Sequence, residues 1–170
     1  MTLKLLGGIF IIIGCSGIGF VMAASHRREA KILNEFISAI TYMQCEMQYR
    51  ITPLPDLCAQ TALQCTGVLK SAFSTLADEL NNQISPDVEC CMLSALEASR
   101  NLPKLTYTAM RSLGSALGNF GLEGQLKELD AIYIESKQTL TAFTKNQEVK
   151  LRSYQTLGIC AGAVLVILFI

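Results

Sequence analysis

The sequence predicts an all-α protein, a cytoplasmic bundle of about six helices flanked by N- and C-terminal transmembrane helices. Three observations predict it. Between Ser25 and Thr156 apolar residues recur every three or four positions, no stretch sustains a period-two alternation, and each end of the chain carries an uncharged apolar run. The expected division is therefore an N-terminal membrane helix over 1–24, a helical bundle over 25–156 and a C-terminal membrane segment over 157–170.

The first run, Leu5 to Ala24, holds twenty residues without a charge. At about 1.5 Å per residue it reaches roughly 30 Å, the thickness of a hydrocarbon core. Lys4 precedes it and Arg27, Arg28 and Lys31 follow it. The heavier basic flank places everything after Ala24 in the cytoplasm and the N-terminus outside. The closing run, Leu157 to Ile170, has fourteen residues. It needs Tyr154, Gln155 and Thr156 at the headgroups, or local thinning of the bilayer, to cross. Lys150 and Arg152 stand before it, so its free end also falls outside. The competing readings are a cleaved signal peptide ending near Val21-Met22-Ala23 and, for the closing run, a buried core helix. Small residues one turn apart, Gly158 with Gly162 and Cys15, Gly19 with Ala23, allow close packing of the two spans.

A first helix continues out of the membrane on the stripe Ile32, Leu33, Phe36, Ile37, Ile40, Met43 and Met47, ending near Ile51. Thr52 then reads as an N-cap with Pro53 at the first helical position, opening a second helix to about Thr66. A third follows Gly67 through Leu69, Ala72, Phe73, Leu76 and Leu80, and stops at Asn81-Asn82. Ser85 as cap, Pro86 inside the start, and Asp87 and Glu89 near the positive helix end open a fourth helix, through Val88, Met92, Leu96 and Ser99. Beyond Pro103 a fifth carries Leu105, Met110, Leu113, Leu117 and Phe120, failing in the run from Gly118 to Gly121. The sixth starts near Leu122 and follows a coiled-coil-like seam of Leu126, Leu129, Tyr133, Leu140 and Phe143, running on toward the membrane.

Composition narrows the function. Fourteen basic residues balance fourteen acidic ones, which leaves no electrostatic case for nucleic acid. Charged residues make up 16% and hydrophobic residues 51%, too apolar for a disordered chain. Histidine occurs once, so a histidine metal centre is excluded and a serine triad would have to use His26, which stands at the membrane boundary beside two arginines. No phosphate-binding G-x-x-x-x-G-K-[ST] loop occurs, so the chain is not itself a nucleotide-driven motor. The seven cysteines contain no C-x-x-C pair and read as reduced small hydrophobes. Glu123, Glu128, Asp130 and Glu135 have the spacing of a solvated helix face. Neither a catalytic residue, a cofactor, a metal site nor a small-molecule substrate is expected. Gly114 and Gly118 are the exception to routine helix composition, since each costs about 1 kcal/mol relative to alanine inside a helix. Close helix packing offsets that cost, or a groove does, where a partner's backbone approaches.

Several motifs together resemble a family, stage III sporulation protein AB of endospore-forming Firmicutes. They are the opening Leu5-Leu6-Gly7, Gly19-Phe20 with the Arg27-Arg28 exit, Glu46-Met47-x-Tyr49-x-x-Thr52-Pro53-Leu54, Leu113-Gly114-x-x-Leu117-Gly118, and Leu157-Gly158 before an aliphatic tail. Ala30, Gln44 and Arg50 depart from the usual pattern. The resemblance covers essentially the whole chain. It implies a non-catalytic platform subunit of the channel complex between mother cell and forespore, with a bundle similar to the inner-membrane F subunit of type II secretion systems. It implies a cytoplasmic secretion-type ATPase, stage III sporulation protein AA, as a partner, along with other membrane subunits of the complex and the lipid bilayer. Glu46, Tyr49, Thr52, Pro53 and Leu54 would then form the membrane-distal turn, and Gly114 and Gly118 a packing or docking face. The competing class is a membrane scaffold or signal-transducing adaptor that dimerises through the sixth-helix seam without a motor. An exported domain released by signal cleavage is a third.

Overall fold

In a computed structural model of the chain, the backbone is described for residues 2–50, 52–82, 87–99, 101–119 and 121–169. Side chains are described for 24–50, 52–82, 87–99, 101–118 and 121–146. Among these residues the fold is all-α with no strand. Six helices follow one another: α1 (Thr2–Tyr49), α2 (Leu54–Gln64), α3 (Gly67–Asn81), α4 (Val88–Ala98), α5 (Lys104–Asn119) and α6 (Leu122–Phe169). Residues 5–24 and 157–169 lie within continuous helices, but the expectation that the apolar runs span a membrane falls on residues whose side chains, Ala24 apart, are outside the described set. Among the described residues, no helix is long and apolar enough to cross a membrane.

The chain divides into two compact units, Lys31–Leu140 and the paired ends Met1–Ala30 with Thr141–Ile170. In the unit of paired ends, the His26 imidazole meets the Phe143 ring edge-on, with centroids 5.8 Å apart.

The core of the central unit is built by the periodicity of each helix. From α1 come Leu33, Phe36, Ile37, Ile40, Met43 and Met47, all buried at spacings of three and four. Leu57 and Cys58 of α2 join them, with Leu69, Phe73 and Leu76 of α3, Met92 and Leu96 of α4, and Met110, Leu113 and Leu117 of α5. Burial of a leucine or phenylalanine side chain stabilises by about 1.5–3 kcal/mol, so these stripes fix which face of each helix turns inward. Successive helices α2, α3, α4 and α5 pack against their neighbours in chain order, as short connections require. Two polar ties run from α1. Tyr42 donates from its hydroxyl to Gln60 Oε1 at 3.1 Å, and the Glu35 carboxylate accepts the backbone N–H of Thr66 at the start of α3. Burial together with the neighbouring Glu46 carboxylate raises the Tyr42 phenol above its ordinary value.

Four sequence expectations need correction. Pro53, not Thr52, holds the N-cap position of α2, with backbone φ −55° and ψ 144° and its carbonyl accepting the Leu57 N–H at 2.9 Å. The Thr52 hydroxyl instead turns back to Glu46 Oε2 at 3.5 Å. Helix α2 stops at Gln64 because Cys65 is extended, so the second helix is shorter than the span to Thr66. Asp87, not Ser85, caps α4, its Oδ1 accepting the Glu89 N–H at 3.1 Å. A carboxylate is the stronger acceptor and also faces the positive end of the helix dipole. The Ser85-Pro86 pair lies outside the described residues, as does Phe120. On α6 the buried centre is Leu129, Ile132 and Ser136, and the expected seam residues Leu126, Tyr133 and Leu140 are only half-buried. Ile132 and Ser136 of α6 line a cavity together with Leu33 of α1 and Leu105 and Ala109 of α5. A stripe facing two neighbours is wider than a two-helix seam, which brings in Ile132.

Candidate functional site

Where α1 turns into α2, the last turn of α1 and the first of α2 are joined by a three-residue link, Arg50 to Thr52, before the Pro53 cap. Arg50 continues the α1 ladder through its N–H to the Glu46 carbonyl at 2.9 Å. Its guanidinium lies 3.6 Å from Glu46 Oε1, while Thr52 meets the other carboxylate oxygen. Glu46 therefore organises the turn from inside it, as a half-buried group shared by two neighbours. Pro53 fixes the extended backbone at the cap and Pro55 sits within the first turn of α2, where no N–H acceptor is needed.

This geometry leaves apolar surface facing outward. A pocket of about 170 Å³ opens between the two turns, lined by Met47, Thr52, Leu54 and Leu57 with Leu122 and Gln125 of α6. Leu122 is 43% exposed, and Tyr49, at the end of α1, is 79% exposed. Gln125 pins the α5–α6 turn from beneath, donating through Nε2 to the Leu117 carbonyl at 2.8 Å. The lining is predominantly aliphatic. It suits an apolar side chain from a partner rather than a polar substrate.

Of the seven expected residues, Thr52 and Leu54 line the pocket, Glu46 holds the Thr52 hydroxyl, Pro53 caps α2, and Tyr49 is exposed at the end of α1 without lining the pocket. Gly114 and Gly118 do not line that pocket. They lie on α5 against α4, Gly114 buried beneath Met92 and Gly118 exposed beside Val88 and Asp87. Leu122 and Gln125 were missed. An apolar residue at the first helical position, off the α6 stripe, was the available signal for Leu122. Nothing in the sequence marks Gln125, whose role depends on where Leu117 ends up.

The remaining titratable groups do not converge. Among the described residues no three of His, Cys, Asp and Glu are placed to hold a metal ion. Cys58 and Cys65 are buried thiols, and burial pushes both up to about 12, with the Glu35 charge adding to the effect at Cys65. Such thiols stay protonated and behave as small apolar side chains.

Fold and site together define a helical-bundle protein whose outward feature is an apolar turn. The chain belongs to the stage III sporulation protein AB family, whose family model matches residues 4–170. It is similar to the stage III sporulation protein AB of Bacillus subtilis (strain 168), at 24% identity over 169 residues, covering 98% of each chain. A solved structure of a stage III sporulation protein AB shares the fold with a TM-score of 0.64 at 19% identity, covering 72% of this chain and 98% of that one.

Proposed function

We propose that this protein is a non-catalytic membrane platform subunit of the channel complex between mother cell and forespore, docking a cytoplasmic secretion-type ATPase through the α1–α2 turn. The observation that carries this reading is the apolar pocket at the α1–α2 turn with Leu122 exposed on its lining, together with Tyr49 exposed at the end of α1, in a chain of the sporulation stage III AB family. Tyrosine is enriched among the anchors of protein interfaces, and Tyr49 is exposed to serve as one. The central unit is densely packed, so force applied at one turn moves it as a body. Helices α1 and α6 run on without a break through residues 5–24 and 157–169 of the apolar runs. Those runs would anchor the subunit in the mother-cell membrane around the forespore, with the bundle in the cytoplasm and both termini outside.

A dimerising scaffold built on the α6 seam draws no support from the packing, because Leu129 and Ile132 are already buried within the central unit. The test is co-purification of the full-length chain, in mild detergent, with the family's AA ATPase. Y49A and L122D should each weaken capture by about tenfold or more, the scale of a single hot-spot residue, without changing the far-UV spectrum. Retention of wild-type capture by the double variant would remove this face from the interface. Absence of any capture by the wild-type chain, with the other membrane subunits supplied, would remove the ATPase from the proposal.

A further inference from the structure

In the unit formed by the two chain ends, the contact between His26 and Phe143 brings together two stretches that the sequence shows only as separate basic flanks. Arg27 and Arg28 follow His26 on α1, and Lys145 follows Phe143 on α6 by two positions. All three are exposed. Among the described residues no carboxylate lies within ion-pair distance of any of them. Over 24–30 and 141–152 the sequence holds five basic residues against two acidic ones, Glu29 and Glu148. The first stretch begins where one apolar run ends, at Ala24, and the second stops four residues before the other begins, at Leu157.

We infer that Arg27 and Arg28 of α1, joined to Lys145 of α6 through the His26–Phe143 contact, form one composite binding site for anionic phospholipid headgroups. The inference rests on the membrane reading proposed above. Arginine and lysine with no acidic partner among the described residues, placed at headgroup depth, attract phosphates, and a cluster drawn from two helices concentrates more charge than either flank alone. The aromatic contact positions the cluster and leaves its charges directed outward. The ligand class is the phosphodiester headgroup of an anionic lipid such as phosphatidylglycerol.

The experiment incorporates the full-length chain into vesicles of phosphatidylcholine alone and of phosphatidylcholine mixed with phosphatidylglycerol. The protein is then extracted gently, and the lipids that remain bound are identified by native mass spectrometry. Phosphatidylglycerol should be retained at about tenfold or more above its bulk proportion at low salt, and less at high salt. R27Q/R28Q/K145Q should abolish that enrichment while still entering both vesicle types with an unchanged far-UV spectrum. F143A, which keeps every charge, should reduce it several-fold. Equal retention of the two lipids by the wild-type chain, or undiminished enrichment in the triple variant, overturns the inference. Full enrichment in F143A overturns its composite character. Failure to enter even the neutral vesicles overturns the membrane reading itself, a different outcome from entry without headgroup preference.

Discussion

Gly114 faces Met92 so closely that a β-carbon built on the glycine would stand 2.7 Å from the methionine Cβ and 2.8 Å from its Cγ. The obstructing Cβ is fixed to the α4 backbone and cannot swing aside. The cost of a glycine inside α5 is therefore offset by a close approach of two helices, which the spacing alone left open between packing and partner docking.

Gly114→Ala should destabilise the protein by about 1–3 kcal/mol through overpacking, although alanine is the better helix former. A Cβ at Gly118 would meet Val88 Cβ at 3.4 Å and Asp87 Oδ1 at 3.5 Å. That is ordinary contact, so it should be neutral or stabilising by up to about 1 kcal/mol. Urea denaturation followed by circular dichroism distinguishes the pair, and equal effects would remove the close approach as the explanation.

Glu35 to Thr66 is the second long-range relationship on which the bundle depends, a carboxylate of α1 satisfying an N–H at the entry to α3. Helix starts leave such donors without partners. Glu35→Ala should lower stability by about 1–2 kcal/mol, and Glu35→Gln, which keeps an acceptor of similar reach, should lose less. Wild-type midpoints in both variants would show that the carboxylate contributes nothing there.

Thr106 is fully buried at the first turn of α5, and its hydroxyl has no hydrogen-bond partner. Thr106→Val keeps the branched shape and removes an unsatisfied oxygen, so it should raise the unfolding midpoint, with a gain in stability of about 1 kcal/mol or more. A fall in the midpoint would mean that the hydroxyl is satisfied in solution.

Cys58 and Cys65 ionise near 9.0 when unfolded but are held up to about 12 in the fold. The folded state therefore keeps its protons over the window from about pH 9 to 12 while the unfolded chain loses them. The stabilisation from these thiols is fully present below pH 9 and declines as pH rises through that window, by up to about 1.4 kcal/mol per pH unit for each group. A C58A/C65A variant should show a shallower loss of stability across it. Single-cysteine variants give a second readout: a thiol reagent should modify exposed Cys45 or Cys90 rapidly and Cys58 only on unfolding.

Much of the central unit was legible because helical burial leaves a local signature. The α1 stripe from Leu33 to Met47 and the α3 stripe from Leu69 to Leu76 are buried as their spacing requires. Caps were less legible, since Thr52 and Pro53, or Ser85 and Asp87, are each acceptable starts within two residues of one another. Which one caps depends on what else is near: Glu46 engages the Thr52 hydroxyl, and Asp87 reaches the Glu89 N–H. For the candidate site, the turn residues could be read and the α6 contribution could not, because Leu122 reaches the pocket only through the return of the chain.

By itself the sequence determined the helical class, the number of helices and the inward face of most of them, because periodicity near 3.6 is a property of consecutive residues. The tertiary structure decided which helices touch. It set Met92 over Gly114, placed Ile132 of α6 in the core, brought Leu122 to the α1–α2 turn and put His26 beside Phe143. Each of these pairings is between residues distant in the chain, and no local preference encodes them. They follow from burying all six stripes at once in a space with room for only one arrangement of side chains.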